Sequence, residues 1–205
     1  MNKEILELVK KVQAIAQAGL EYANNEYDIE RYLELRDISV EMMHKLTGYN
    51  IHKIRELFAN ESGYQTPKVD VRSVIFKGKK ILMAREKSDN LWSIPGGWAD
   101  VGLTPFEVAV KEAREEVGLI VKPIRLLAVI DKKRHPHPPG IYHIYKLFIL
   151  CKETGGKLGC GMETLEVKYF GINELPQLSE RRITKSQILL MFEFMKNENI
   201  HAMCD

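Results

Sequence analysis

Cysteine is scarce in this 205-residue chain, and no apolar run approaches the roughly 18 residues a membrane span needs. Lys3 and Glu4 interrupt the first residues, so a signal peptide is not expected and a cytoplasmic location is. Cys151, Cys160 and Cys204 show no Cys-x-x-Cys spacing and no accompanying histidine cluster, which argues against a zinc site. Cys151 and Cys160 could face each other across a hairpin, but reduced thiols are the rule in the cytoplasm. There is no internal repeat and no low-complexity segment. A surplus of either charge is also lacking: the formal net charge of +2 and pI near 8.3 are too balanced to imply nucleic acid by themselves. What remains is ordinary for a globular protein, with 45% hydrophobic and 28% charged residues, enough for one sizeable domain with a small companion.

Two textures follow one another. In the first sixty-odd residues Ile5, Leu8, Val9, Val12, Ile15 and Ala16 recur at helical spacing, with Gly19 as the expected stop. Asp28 is placed to cap a second helix carrying Ile29, Tyr32, Leu33, Leu35, Ile38, Met42 and Leu46, ended by Gly48. Asn50 opens a third, short helix through Phe58. A linker over residues 61–67, broken by Gly63 and Pro67, separates this helical domain (1–60) from residues 68–205. There, Val69–Phe76 and Ile81–Arg85 form a hairpin, with further strands around Leu91–Ile94, Val121–Asp131, Ile141–Lys152 and Glu166–Phe170. Helices are expected over Pro105–Val117 and from near Thr184 to Lys196, where Thr184 and Gln187 have capping-box spacing. Strands with isolated helices predict an α+β fold, a mixed sandwich.

Residues 95–119 carry the chemistry. Pro95-Gly96-Gly97 lets backbone approach a ligand closely, and a helix follows at once. Thr104, Pro105 and Glu107 start it and Gly118 ends it, giving about three and a half turns. At about 100° per residue, Phe106, Val110, Ala113 and Val117 form the packing stripe. Glu112, Glu115 and Glu116 form another stripe without a positive residue inside it. Such a run is either a solvated helix face or a ligand set. Carboxylates at this density repel one another unless neutralised, and oxygen-only ligands suit magnesium or manganese.

The segment resembles the Nudix box: a glycine, five residues, a glutamate, seven residues, then Arg-Glu-hydrophobic-x-Glu-Glu-x-Gly-hydrophobic. Aligned on Gly97, it matches at Glu112, Ala113, Glu115, Glu116, Gly118 and Leu119; Leu103 replaces the first glutamate and Lys111 the arginine. Lys111 can pair with Glu107 or Glu115. Leu91–Gly97 and Leu165–Gly171 are similar to the strands before and after the box. The helical N-terminal part is similar to a subgroup that hydrolyses X-linked nucleoside diphosphates, including ADP-ribose and CDP-choline pyrophosphatases. The resemblance implies a Nudix α/β/α sandwich with a mixed sheet, and an Mg²⁺- or Mn²⁺-dependent pyrophosphohydrolase. It assigns Glu112, Glu115 and Glu116 to metal and catalysis, with Gly97 beside them. An RNA 3′-end nuclease using the same metal site, or a nucleotide sensor, is the alternative. The helical domain is expected to make a homodimer or a lid.

Other candidates stand outside the box. The resemblance implies a further carboxylate, Glu163 or Glu166, with Glu166 preferred. Arg72 and Arg85 either hold phosphate or make ion pairs on a sheet face. Trp98 either stacks on a base or packs in the core. The loop Lys132–Gly140, with Lys133 and His135, is either a substrate-contacting rim or a solvated connector.

Overall fold

Three helices open the chain in the computed structural model, which describes residues 2–197 and 199–205. The first, α1 (Lys3–Tyr22), starts where the Asn2 side chain accepts from the backbone of Glu4 and Ile5. Gly19 does not stop it. A Cβ there would lie 2.3 Å from the Tyr32 ring, so this glycine is the notch into which the second helix packs. That helix, α2 (Glu26–Thr47), is capped by Asn25; Asp28 sits in its first turn, where negative charge complements the helix dipole. Gly48 ends it in the left-handed conformation (φ 71°), and Asn50 caps α3 (Ile51–Phe58), both as expected.

The helices enclose a small core of Leu6, Val9, Val40, Met43, Ile54 and Phe58, with Ile141 packed against it. Ser39 Oγ donates to Gln13 Oε1 at 2.8 Å inside the α1–α2 seam. The buried face of α1 is Leu6, Val9, Gln13, Ala16 and Gln17. Ile5, Leu8 and Ile15 of the expected stripe are exposed, at 41%, 58% and 60%. The chain up to Pro67 together with Pro139–Tyr142 forms this compact unit; Lys68–Pro138 and His143–Asp205 form a second.

In the second unit β1 (Lys68–Lys77) and β2 (Lys80–Glu86) make the expected hairpin, turning at Gly78 (φ 59°). There follow β3 (Trp92–Ser93), β4 (Gly96–Trp98), α4 (Pro105–Val117), β5 (Leu119–Asp131), a 3-10 turn over Lys132–Arg134, β6 (Ile144–Gly156), β7 (Thr164–Gly171), α5 (Lys185–Lys196) and β8 (Met203–Cys204). Strands β4 and β8 are too short to show in the sequence pattern. The sheet runs β3-β2-β1-β6-β5-β8 among the described residues, with β4 on β1 and β7 on β2. It is mixed, because β1 pairs β6 and β5 pairs β8 in parallel while the other pairings are antiparallel.

Alternation along the hairpin sends Val71, Ile75, Leu82 and Ala84 to the core under α4, and Val74, Ile81 and Met83 to the core under α5. Helices on both faces make the α/β/α sandwich. All three cysteines are free. No helix among the described residues is long and apolar enough to cross a membrane.

Candidate active site

Helix α4 begins with the Thr104–Glu107 capping box and Pro105, and ends at Gly118 (φ 71°). Its last carbonyls are taken by the glycine-rich segment after β6: Lys157 N–H bonds Gly118 O, Gly159 N–H bonds Val117 O, and Gly161 N–H bonds Glu116 O at 3.1 Å. A Cβ on Gly161 would lie 1.7 Å from Glu115 O, so only glycine allows this approach. The packed face of α4 is Val108, Ala109, Ala113, Glu116 and Val117. Phe106, expected on the packing stripe, is 40% exposed, while Glu116 lies inside.

Glu116 is held there by Gly96, whose N–H donates to its Oε2 at 2.9 Å. Gly96 has φ 145°, and a Cβ would meet Val71 O at 2.1 Å. Gly97 allows a second close approach, because its Cβ would stand 3.1 Å from Glu112 Oε2. Burial raises the pKa of Glu116 to about 8, against the pull of Arg72 and with repulsion from Glu86 and Glu112. Burial raises Glu112 and Glu86 as well. Glu86 stands at the end of β2, where the β2–β7 register shifts after Arg85.

Arg72 is the positive group that acts on all three carboxylates. Its Nε and Nη2 grip Asp70 at 2.6 and 2.7 Å, and its Nη1 donates to Ile94 O at 3.1 Å. Lys146 Nζ, from the paired β6 position, lies 3.1 Å from the same aspartate. Burial would raise the Asp70 pKa, but Arg72 and Lys146 hold it well below the carboxylate range. Lys146 itself is brought down to about 7 by burial, despite Asp70. Arg72 lines the cleft with its fork bonded to Asp70 and to Ile94 O.

Asp70, Arg72, Glu86, Glu112 and Glu116 line one cleft of about 1290 Å³ in the second unit, together with Trp98, Glu115 and Glu163. Glu115 is drawn to Lys111 (3.2 Å), which also reaches Asp100 at 3.0 Å and Glu112 at 3.6 Å. Of the two partners expected for Lys111 it takes Glu115, because Glu107 is used by the helix cap. No ready-made cluster of three metal-ligating side chains exists among the described residues. The chemistry of the donors fits a hard divalent ion: Glu86, Glu112 and Glu116 offer carboxylate oxygens to one cleft, and burial disfavours their charged forms unless a cation compensates.

Four expected site residues lie elsewhere. Glu166 and Arg85 are cross-strand partners, paired at 3.1 Å, and neither lines the cleft. The acidic residue that reaches it is Glu163, whose carbonyl is tied to Lys87 N–H. Lys133 turns back to Asp131 at 3.6 Å, and His135 meets Asp205 at 3.0 Å; from this loop Lys132 and Pro138 line the cleft instead. Two contributors went unread. Glu86 shares the alternation of Leu82 and Ala84, a usable signal. Arg182, which bonds Asp89 at 2.9 Å and lies 3.6 Å from Glu86, stands in a loop without a motif.

Residues 66–192 match the NUDIX domain and residues 3–58 match the UDP-X-like N-terminal oligomerisation domain, and the chain belongs to the Nudix hydrolase family. It is a Nudix pyrophosphohydrolase, an enzyme of phosphoanhydride hydrolysis. YjhB of Bacillus subtilis (strain 168), provisionally named an ADP-ribose pyrophosphatase, is 45% identical over 98% of this chain and 96% of its own. A crystal structure of a UDP-X diphosphatase is 32% identical, covers 98% of both chains and superposes with a TM-score of 0.65. An ADP-ribose pyrophosphatase from Streptococcus suis 89-1591 is 38% identical over 68% of this chain and all (100%) of its own, with a TM-score of 0.63.

Proposed function

We propose that this enzyme cleaves the diphosphate of nucleoside diphosphate-X compounds, such as ADP-ribose or CDP-choline, into a nucleoside monophosphate and a phosphorylated X. The observation that carries the reading is the set of carboxylates lining one cleft, with Glu86 and Glu116 buried, Glu112 half-buried, and Glu116 repelled by the other two. Glu112 and Glu116, with Glu115 and the Gly97 backbone beside them, would hold Mg²⁺ or Mn²⁺. A bound ion of this kind neutralises a diphosphate and acidifies a water. Glu163 replaces Glu166 as the candidate proton acceptor, because it reaches the cleft. Gly96 keeps Glu116 aimed inward, and Trp98, 48% exposed, offers a ring for a base. Residues 1–60 act as the oligomerisation domain of a cytoplasmic homodimer, and residues 68–205 as the catalytic domain.

Purified protein with Mg²⁺ should release monophosphate from ADP-ribose or CDP-choline with higher kcat/KM than from any nucleoside triphosphate. Glu116→Gln should lower turnover at limiting Mg²⁺ at least about tenfold, the effect of ~1.4 kcal/mol in the transition state. Unchanged turnover overturns the metal assignment. Preference for a triphosphate or for single-stranded RNA overturns the substrate class.

A further inference from the structure

Three arginines line the cleft, and two are spent on the protein itself. Arg72 is locked to Asp70 and Ile94 O, and Arg182 to Asp89, Ser88 and Glu86. Arg181 differs. It makes no hydrogen bond or ion pair with any described residue, and it is exposed toward the cleft it lines.

The backbone that carries Arg181 is fixed on both sides. Gln177 O and Ser179 N–H bond the backbone of Trp92, at 3.1 and 2.8 Å, as a parallel bridge centred on Leu178. Ser179 Oγ donates to Asp89 at 2.6 Å. Glu180 O accepts from His137 Nδ1 at 2.6 Å, and the other nitrogen of that ring is paired with Gln187 Nε2 at 2.9 Å. On the far side Arg182 is held as above, and Ile183 is fully buried. The strap, fixed by these bonds, therefore presents one uncommitted guanidinium at a cleft also lined by Glu86, Glu112 and Glu116. A guanidinium is a planar fork that matches phosphate oxygens two at a time, and a fixed backbone cuts the ordering cost of binding.

We propose that Arg181 is the specificity-determining residue that grips a phosphate of the substrate's diphosphate, independently of any metal ion. This rests on the reading of the cleft as a diphosphate site. Metal-free binding tests it apart from hydrolysis: ADP-ribose is titrated into wild type, Arg181→Ala and Arg181→Lys in EDTA by calorimetry, and the same proteins are assayed with Mg²⁺. Arg181→Ala should weaken ADP-ribose binding at least about tenfold and raise KM in parallel, with kcat within about threefold. Arg181→Lys should fall between, because an ammonium keeps the charge but not the fork. A dissociation constant within twofold of wild type for Arg181→Ala overturns the proposal, even where hydrolysis is intact. Arg181-dependent binding without hydrolysis in Mg²⁺ overturns ADP-ribose as a substrate and leaves this proposal standing. A wild type that binds no ADP-ribose in EDTA overturns the metal-independent grip of Arg181, while the assay with Mg²⁺ still decides the substrate class.

Discussion

The two units spend their apolar residues differently. The second buries its large side chains in two cores, one under each helix, with Phe148, Ile75, Leu82 and Phe192 almost wholly covered. The helical unit has one small core, while Ile5, Leu8, Ile15, Ile29, Leu33, Ile38, Met42 and Leu57 stay exposed. The second unit exposes apolar residues too, Val101, Ile120 and Met162 among them, but they come from a longer stretch of chain. The match of residues 3–58 to an oligomerisation domain accords with that difference.

The largest effect should come from the second unit. Phe148→Ala removes a fully buried ring and should cost about 3–5 kcal/mol of stability, the same at every protein concentration. Denaturant melts at two concentrations check this, and a concentration-dependent loss would blur the contrast. A smaller effect is set by pH. Burial brings His137 down to about 4 from 6.5, so the folded chain resists a proton that the unfolded chain accepts. The stability this gives is complete above pH 6.5 and lost as pH falls toward 4, by about 2–3 kcal/mol. His137→Gln should flatten that slope in denaturant titrations over the same range. The smallest change in folding is expected from the helical unit. Leu8→Glu with Ile15→Glu places charge on exposed positions, so the unfolding of the second unit should not move. Assembly should weaken more than tenfold, roughly 1.4 kcal/mol, when followed by light scattering.

Local chemistry explains what could be read from the sequence. Thr104, Pro105, Glu107 and Gly118 bracket α4 within its own span, so both its ends and the setting of Glu112 and Glu116 were legible. The packed face of α1 was not. Its apolar residues nearly surround the helix, and only the position of α2 selects Leu6 over Ile5 and turns Gly19 into a notch for Tyr32. The choice between Glu163 and Glu166 depended on the β2–β7 register, which sets Glu166 opposite Arg85. The commitment of Arg72 depended on Asp70 two residues away and on Lys146 from a strand far along the chain. Spacing along one segment carries none of that information.

The short stretch Pro139–Tyr142 belongs with the helices, so the chain crosses between the units at three places rather than one. The helical unit is therefore not a detachable leader. A fragment cut to begin at Lys68 would carry Ile141 without the core it packs against. A chimera that exchanged the helical unit between relatives would have to transplant two separate pieces of sequence, the second only four residues long.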